Sequence, residues 1–129
     1  MSTRPRGIRN NNPGNIRADG TQWRGLRGDD GAFCIFDKPE NGIRAIARIL
    51  KNYRARGIDT VAEIVRTWAP PVENNTEAYI ASVCESCGKG RDTTIEADDY
   101  PQLISAIIWH ENGQQPYTHE QIAAGVAAA

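Results

Sequence analysis

No stretch of this chain is apolar for long enough to cross a bilayer. The opening Met-Ser-Thr-Arg-Pro-Arg also has no apolar segment behind it that could serve as a secretory leader. The expectation is a protein made in a cytoplasm without a signal peptide and without membrane insertion; action outside that compartment would need release or carriage. Cysteine is scarce, at Cys34, Cys84 and Cys87, so three thiols cannot all pair within one chain. Cys84-Glu-Ser-Cys87 has CxxC spacing, but the thioredoxin-like βαβ pattern that would make it a redox site is missing. Histidine occurs only at His110 and His119, and neither stands at metal-ligand spacing from another donor, so no metal is expected. The cysteines read instead as small apolar side chains, with Cys84 and Cys87 on one helix face.

Net charge is also nearly absent, at -1, but it hides an asymmetry. Residues 1–66 carry 13 bases and 7 acids, a balance of +6, and residues 67–129 carry 2 bases and 9 acids, a balance of -7. A basic face could steer toward an anionic polymer, or the halves could neutralise each other across one fold. With 129 residues the chain suits a single domain spanning 1–129.

Residues 1–20, rich in Arg, Asn, Gly and Pro, read as irregular. Trp23, Leu26, Phe33, Ile35 and Phe36 around Gly28-Asp-Asp-Gly31 predict a short β-hairpin. After Pro39, Ile43, Ile46, Ala47, Leu50 and Tyr53 fall at helical spacing up to Gly57. Thr60-Val-Ala-Glu63 is a capping box for a second helix, stopped by Pro70-Pro71. Thr76 is expected to cap a third, ending at Gly88, and Asp98 or Asp99 with Pro101 opens a fourth. Thr118-His-Glu-Gln121 starts a last Ala-rich helix. The fold class is α+β, predominantly α-helical, with about five helices and one small hairpin.

The most informative segment is Ile107-Ile-Trp-His-Glu-Asn-Gly-Gln-Gln-Pro116. It sets Glu111 at the end of an apolar helix, before a Gly turn. Burial and the negative end of a helix dipole both disfavour a charged carboxylate in such a place. A carboxyl that keeps its proton is what general-acid cleavage of a glycosidic bond requires. His110-Glu111 does not make a zinc protease, because position 114 is Gln114 and Gly113 breaks the helix. Neither Gly-x-Ser-x-Gly nor a phosphate-cradling glycine loop is present. One acid suffices when a substrate hydroxyl or amide supplies the nucleophile. Hydrolysis asks for a second carboxylate, for which Asp29, Asp30 and Asp37 are the candidates, each of them equally a turn or cap former. Asn10, Asn11, Asn12 and Asn15 could read N-acetyl and hydroxyl groups or close their own turns. Trp23, Trp68, Tyr79, Trp109 and Tyr117 are available to stack on pyranose rings or to fill the core, with the helical spacing of Trp68 and Trp109 favouring the core.

Three segments carry a resemblance. Arg6-Gly-Ile-Arg-Asn-Asn-Asn-Pro-Gly-Asn-Ile-Arg17, Trp68-Ala-Pro-Pro-Val-Glu-Asn-Asn-Thr-Glu-Ala-Tyr-Ile80 and His110-Glu-Asn-Gly-Gln-Gln-Pro-Tyr117 resemble a family of small phage and prophage proteins. These are often labelled structural or virion proteins and thought of as lysins. A more distant likeness is to the lysozyme-like superfamily, in which lytic transglycosylases and flagellar-type glucosaminidases end a helix in Glu-Ser-Gly with a catalytic Glu. The glucosaminidases follow it with an Asn-rich stretch, a Trp-Gly hairpin and a helix closing with Tyr. Here Asn12-Pro-Gly-Asn-Ile-Arg17, Trp23-Arg-Gly25, the hairpin and the helix to Tyr53 come first, and Ile108-Trp-His-Glu-Asn-Gly113 comes last. The order therefore looks circularly permuted, with Asn112 in place of the usual Ser.

The resemblance implies a lysozyme-like domain that cleaves the MurNAc–GlcNAc backbone of peptidoglycan, with Glu111 as general acid and base and Asp29 or Asp30 assisting a water. Asn12, Asn15, Trp23 and Tyr79 would shape the groove, with Asn75, His110 and Tyr117 around it. Glu73 is a rival acid or a loop anchor. No cofactor is implied. The alternative is a non-catalytic virion component that holds wall glycans or other virion proteins. Nucleic acid ranks last as a partner, since Arg4, Arg6, Arg9, Arg17, Arg24 and Arg27 share no regular element and match no DNA motif. The site of action would be the periplasm or cell wall after release from the host cytoplasm, or the virion.

Overall fold

The computed structural model describes residues 4–72 and 74–129. Its elements run α1 (Arg6–Arg9), β1 (Leu26–Asp29), β2 (Cys34–Phe36), α2 (Pro39–Ala55), α3 (Val61–Trp68), α4 (Thr76–Cys87), α5 (Tyr100–Asn112) and α6 (His119–Ala127). A single 3-10 turn, Ala97–Asp99, leads into α5. With about 53% of the chain helical and one two-stranded antiparallel sheet, the fold is predominantly α-helical α+β. None of the described helices is long and apolar enough to cross a membrane.

The helix starts follow from local chemistry. Pro39 begins α2 with its φ already set and no N–H to waste. Thr60 and Glu63 satisfy each other's free backbone N–H groups at α3, and Thr118 and Gln121 do the same at α6. Gly88 and Gly113 end α4 and α5 in the left-handed conformation. One cap differs from expectation. Asn75, not Thr76, caps α4, accepting from the Ala78 N–H at 3.2 Å. The Thr76 hydroxyl is buried instead and donates to the Ala69 carbonyl at 2.6 Å, tying the end of α3 to the start of α4.

The core gathers where α2, α3, α4 and α5 meet. Ile43, Ile46, Ala47 and Leu50 of α2 are buried, as are Val61, Ile64 and Val65 of α3. Tyr79, Ile80 and Val83 of α4 and Leu103, Ile104, Ile107 and Ile108 of α5 complete it. Each large aliphatic side chain buried this way contributes about 1.5–3 kcal/mol. The helix α6 lies along α2 and closes one side. All three cysteines are free thiols; Cys34 is buried, and Cys84 and Cys87 are half-buried against the core.

Among the described residues there are six helices, the extra one being the single turn Arg6–Arg9 inside the stretch read as irregular. The hairpin is short, as the sequence predicts: Leu26 pairs with Phe36 and Asp29 with Cys34, across a bulge between Leu26 and Gly28. Its turn therefore lies at Asp30–Phe33, where Asp30 accepts from the Ala32 and Phe33 N–H groups. Gly28 and Asp29 belong to β1 rather than to the turn.

Candidate active site

The Asn-rich segment is not a loose loop. Asn11 and Asn15 adopt positive φ (52° and 51°), a conformation that asparagine tolerates better than most residues with a side chain. The chain folds back on itself and against the hairpin: the Phe36 N–H donates to the Asn10 carbonyl, and the Asn11 amide donates to the Phe36 carbonyl. The Asn11 carbonyl presses onto Gly42 of α2, where a Cβ would collide with it. Asn12 is fully buried. Its Nδ2 donates to the Ile16 and Cys34 carbonyls (2.9 and 3.0 Å), and its Oδ1 accepts from the Ile16 N–H (2.9 Å).

That scaffold delivers Asn15 to Glu111. Asn15 Nδ2 donates to Glu111 Oε1 at 3.0 Å, and the Tyr79 hydroxyl of α4 donates to Oε2 at 2.9 Å. The sequence alone suggests a carboxyl sunk in apolar surroundings; the structure gives a half-buried one held by two uncharged donors. Tyr79 is buried, and burial, followed by the negative charge of Glu111, drives its phenol well above the ordinary tyrosine value. The hydroxyl therefore stays a donor to Glu111 at every physiological pH. His110, next in the chain, stacks on Tyr79 with ring centroids 3.7 Å apart, which fixes the plane of the phenol.

Asn112 locks the same corner from the other side. Its Nδ2 donates to the Pro13 carbonyl (2.8 Å) and the Ile108 carbonyl (2.9 Å). The Oδ1 atoms of Asn15 and Asn112 are both buried without a hydrogen-bond partner. They converge on Gly7, where a Cβ would stand 2.7 Å from Asn112 Oδ1 and 2.8 Å from Asn15 Oδ1. Gly7 is thus the space into which both asparagines fit.

Glu111 forms part of the wall of a cavity of about 430 Å³. Trp68, Tyr53 and Phe33 give it aromatic surfaces, and Arg17, Asp19 and Asn74 give it polar ones. Trp68 and Tyr53 are half-buried rather than core, because each closes an amphipathic helix at the edge of the apolar stripe. Sequence reasoning missed Arg17, Asp19, Phe33, Tyr53 and Asn74. Arg17 and Asn74 lie inside segments that carried the family resemblance and Tyr53 closes the helix of the more distant likeness, whereas Asp19 and Phe33 had no such signal. Among the described residues no three His, Cys, Asp or Glu side chains stand together as a metal would require.

Several expected residues lie elsewhere. Asp30 is bound by Arg6 through two contacts (2.6 and 2.8 Å), by the Asn10 amide and by the two turn N–H groups. The Arg6 guanidinium, then the Phe33 N–H and the Asn10 amide, hold its carboxyl far below the usual carboxylate range. It is a strut of the hairpin turn, and it commits Arg6 as well. Asp29 accepts from the Gly31 N–H and lines a separate hollow with Ala18 and Thr21, of which Glu111 is not part. Asp37 accepts from the Asn41 amide at the entry to α2.

Asn12 has no donor left for a ligand, and Asn75 uses its Oδ1 on the α4 cap and does not line the cavity. Trp23 packs its half-buried ring against the core away from the cavity. Tyr117 and the half-exposed Trp109 line a different cavity, of about 490 Å³, between α4, α5 and α6. Glu73 lies outside the described residues. Of the expected set, Glu111, Asn15, Tyr79 and His110 stand together.

The chain is 43% identical over 126 residues to Protein P5 of Pseudoalteromonas phage PM2, a match that covers 93% of this chain and 79% of the phage protein. It belongs to the P5 family. No family model matches the chain. The match supports the resemblance to phage proteins but shows no lysozyme-like family, and the relative's name says nothing of catalysis.

Proposed function

We propose that this phage-family protein is a peptidoglycan glycosidase, a lytic transglycosylase or muramidase of permuted lysozyme-like design, that cleaves the MurNAc–GlcNAc backbone at Glu111. One observation carries the reading: a helix-end carboxyl, fixed by Asn15 and Tyr79, opens into a cavity walled by Trp68, Tyr53 and Phe33. Aromatic faces suit the C–H faces of pyranose rings, and the Asn74 amide on the same wall can read an N-acetyl group. Phage membership fits a wall-degrading role, whether the protein is released from the host cell or carried in a virion.

In this reading Glu111 gives its proton to the glycosidic oxygen as the C1–O bond breaks. In transglycosylation the muramyl C6 hydroxyl attacks C1, and its proton returns to Glu111, leaving a 1,6-anhydro end. In hydrolysis water attacks instead, and Asp19 is the carboxylate placed to take its proton. Asp19 shares the cavity with Glu111, whereas Asp29 and Asp30 do not. Hydrogen bonds from Thr21 hold Asp19 below its ordinary value, so it is ionised when such a base is needed.

Glu111→Gln keeps the size and the Asn15 contact but has no proton to give. Release of muropeptides from purified sacculi should fall about 10²- to 10⁴-fold with the melting temperature unchanged. Digestion at the wild-type rate by that variant would end the proposal. Mass spectrometry of the products then separates 1,6-anhydro from reducing ends. A second reading rests on the family match alone: a virion component that binds wall glycan without cleaving it. It expects sacculus binding with no soluble product from the wild type.

A further inference from the structure

Arg17 stands on the rim of the Glu111 cavity with its charge uncommitted. Its backbone is pinned by the bridge to Phe33 and by the Ala18 N–H to Ala32 carbonyl bond of 2.9 Å. Its guanidinium lies 5.0 Å from the centre of the Phe33 ring, which also receives Arg6 at 4.5 Å. The two arginines then part ways. Arg6 is spent on Asp30, whereas Arg17 has no carboxylate within ion-pair distance among the described residues. Asp19, two residues on, accepts from the Thr21 N–H at 3.0 Å instead.

The remaining wall, apart from Glu111 and Asp19, is aromatic or uncharged and would accept any N-acetylated sugar. One oriented cation at its edge changes that. A guanidinium presents a planar fork of donors that matches a carboxylate, and an aromatic ring beneath it limits the positions it can take. We infer that Arg17 reads a carboxylate carried on the muramyl substituent, so that the groove prefers acidic glycan strands to neutral ones. This rests on the reading of the cavity as a glycan groove.

Binding tests it without turnover. Calorimetry on the Glu111→Gln protein would compare peptide-free strands, whose lactyl groups carry the charge, with peptide-bearing strands, whose stems carry it. Each is also presented with its carboxylates methyl-esterified. At least one charged form should bind about tenfold tighter than its ester, and which one does so names the source of the carboxylate. Adding Arg17→Gln should close that gap, and Arg17→Lys should restore part of it. Equal affinity for charged and esterified strands overturns the inference, as does a gap that survives Arg17→Gln.

The two proposals fail separately. Discrimination by a wild-type protein that releases no muropeptides leaves Arg17 its role and removes the glycosidase. Cleavage with no discrimination does the reverse. Absence of binding to every strand removes both.

Discussion

Two carboxylates bracket the Asn-rich segment, Asp30 at its Asn10 end and Glu111 at its Asn15 end, and the protein treats them oppositely. Asp30 takes a bidentate guanidinium, an amide and two backbone N–H groups. Its lone pairs are committed, and its proton is gone at any ordinary pH. Glu111 takes one amide and one phenol, both uncharged, and leaves the rest of its surface to a cavity. Nothing in residue type separates them. What separates a strut from a carboxyl open to a ligand is the number and charge of the donors and whether space remains beside it.

The sharpest way to press that comparison is through the segment that joins the two ends. Asn12→Ala takes one donor each from the Ile16 and Cys34 carbonyls and leaves the Ile16 N–H unpartnered in a buried place. It should cost about 3 kcal/mol of stability, seen by denaturant unfolding. Activity per folded molecule should hold, and a raised KM instead would return Asn12 to the binding groove.

Tyr79→Phe comes next. It removes one of the two donors on Glu111 while keeping the ring under His110. Muralytic turnover should drop about tenfold, the equivalent of ~1.4 kcal/mol in the barrier. An unchanged rate would mean that Asn15 alone positions the carboxylate.

The smallest effect belongs to Asp30. Its folded value is depressed by Arg6, so the stability it contributes is complete above the ordinary aspartate value of about 4 and is lost as pH falls below it. Melting curves of Asp30→Asn should therefore lie below wild type at neutral pH and converge with it in acid. Parallel curves across that range would show that the Arg6–Asp30 pair adds no pH-dependent stability. Turnover at neutral pH should stay close to wild type, since Asp30 does not reach the cavity.

Much of this could be read in the chain because it is local. Capping boxes at Thr60 and Thr118, Pro39, and the glycines after α4 and α5 act within four residues of where they stand. The 3.6-residue spacing of Ile43, Ile46 and Leu50 names its own buried face. Glu111 was legible for the same reason, since a helix end is a local event. Asn12 was not, because its partner Cys34 is 22 residues away. Nor was the place of Asp19 on the same cavity wall as Glu111, with Asp29 off it, since Asp19 and Glu111 are 92 positions apart in sequence. Trp68 misled by its spacing: it obeys the helix period yet stands at the edge of the stripe, where the wall of a cavity begins.

The bond between Asn15 and Glu111 spans 96 positions, and Tyr79 joins from between them. A ribosome that has made the first four-fifths of the chain has produced the asparagine segment, the hairpin and three long helices, but not the acid that they surround. Closing so long a loop also comes late in folding, because the entropy of bringing its ends together is repaid only by contacts far apart in sequence. No nascent chain that stops short of α5 can therefore hold the Asn15–Glu111–Tyr79 cluster.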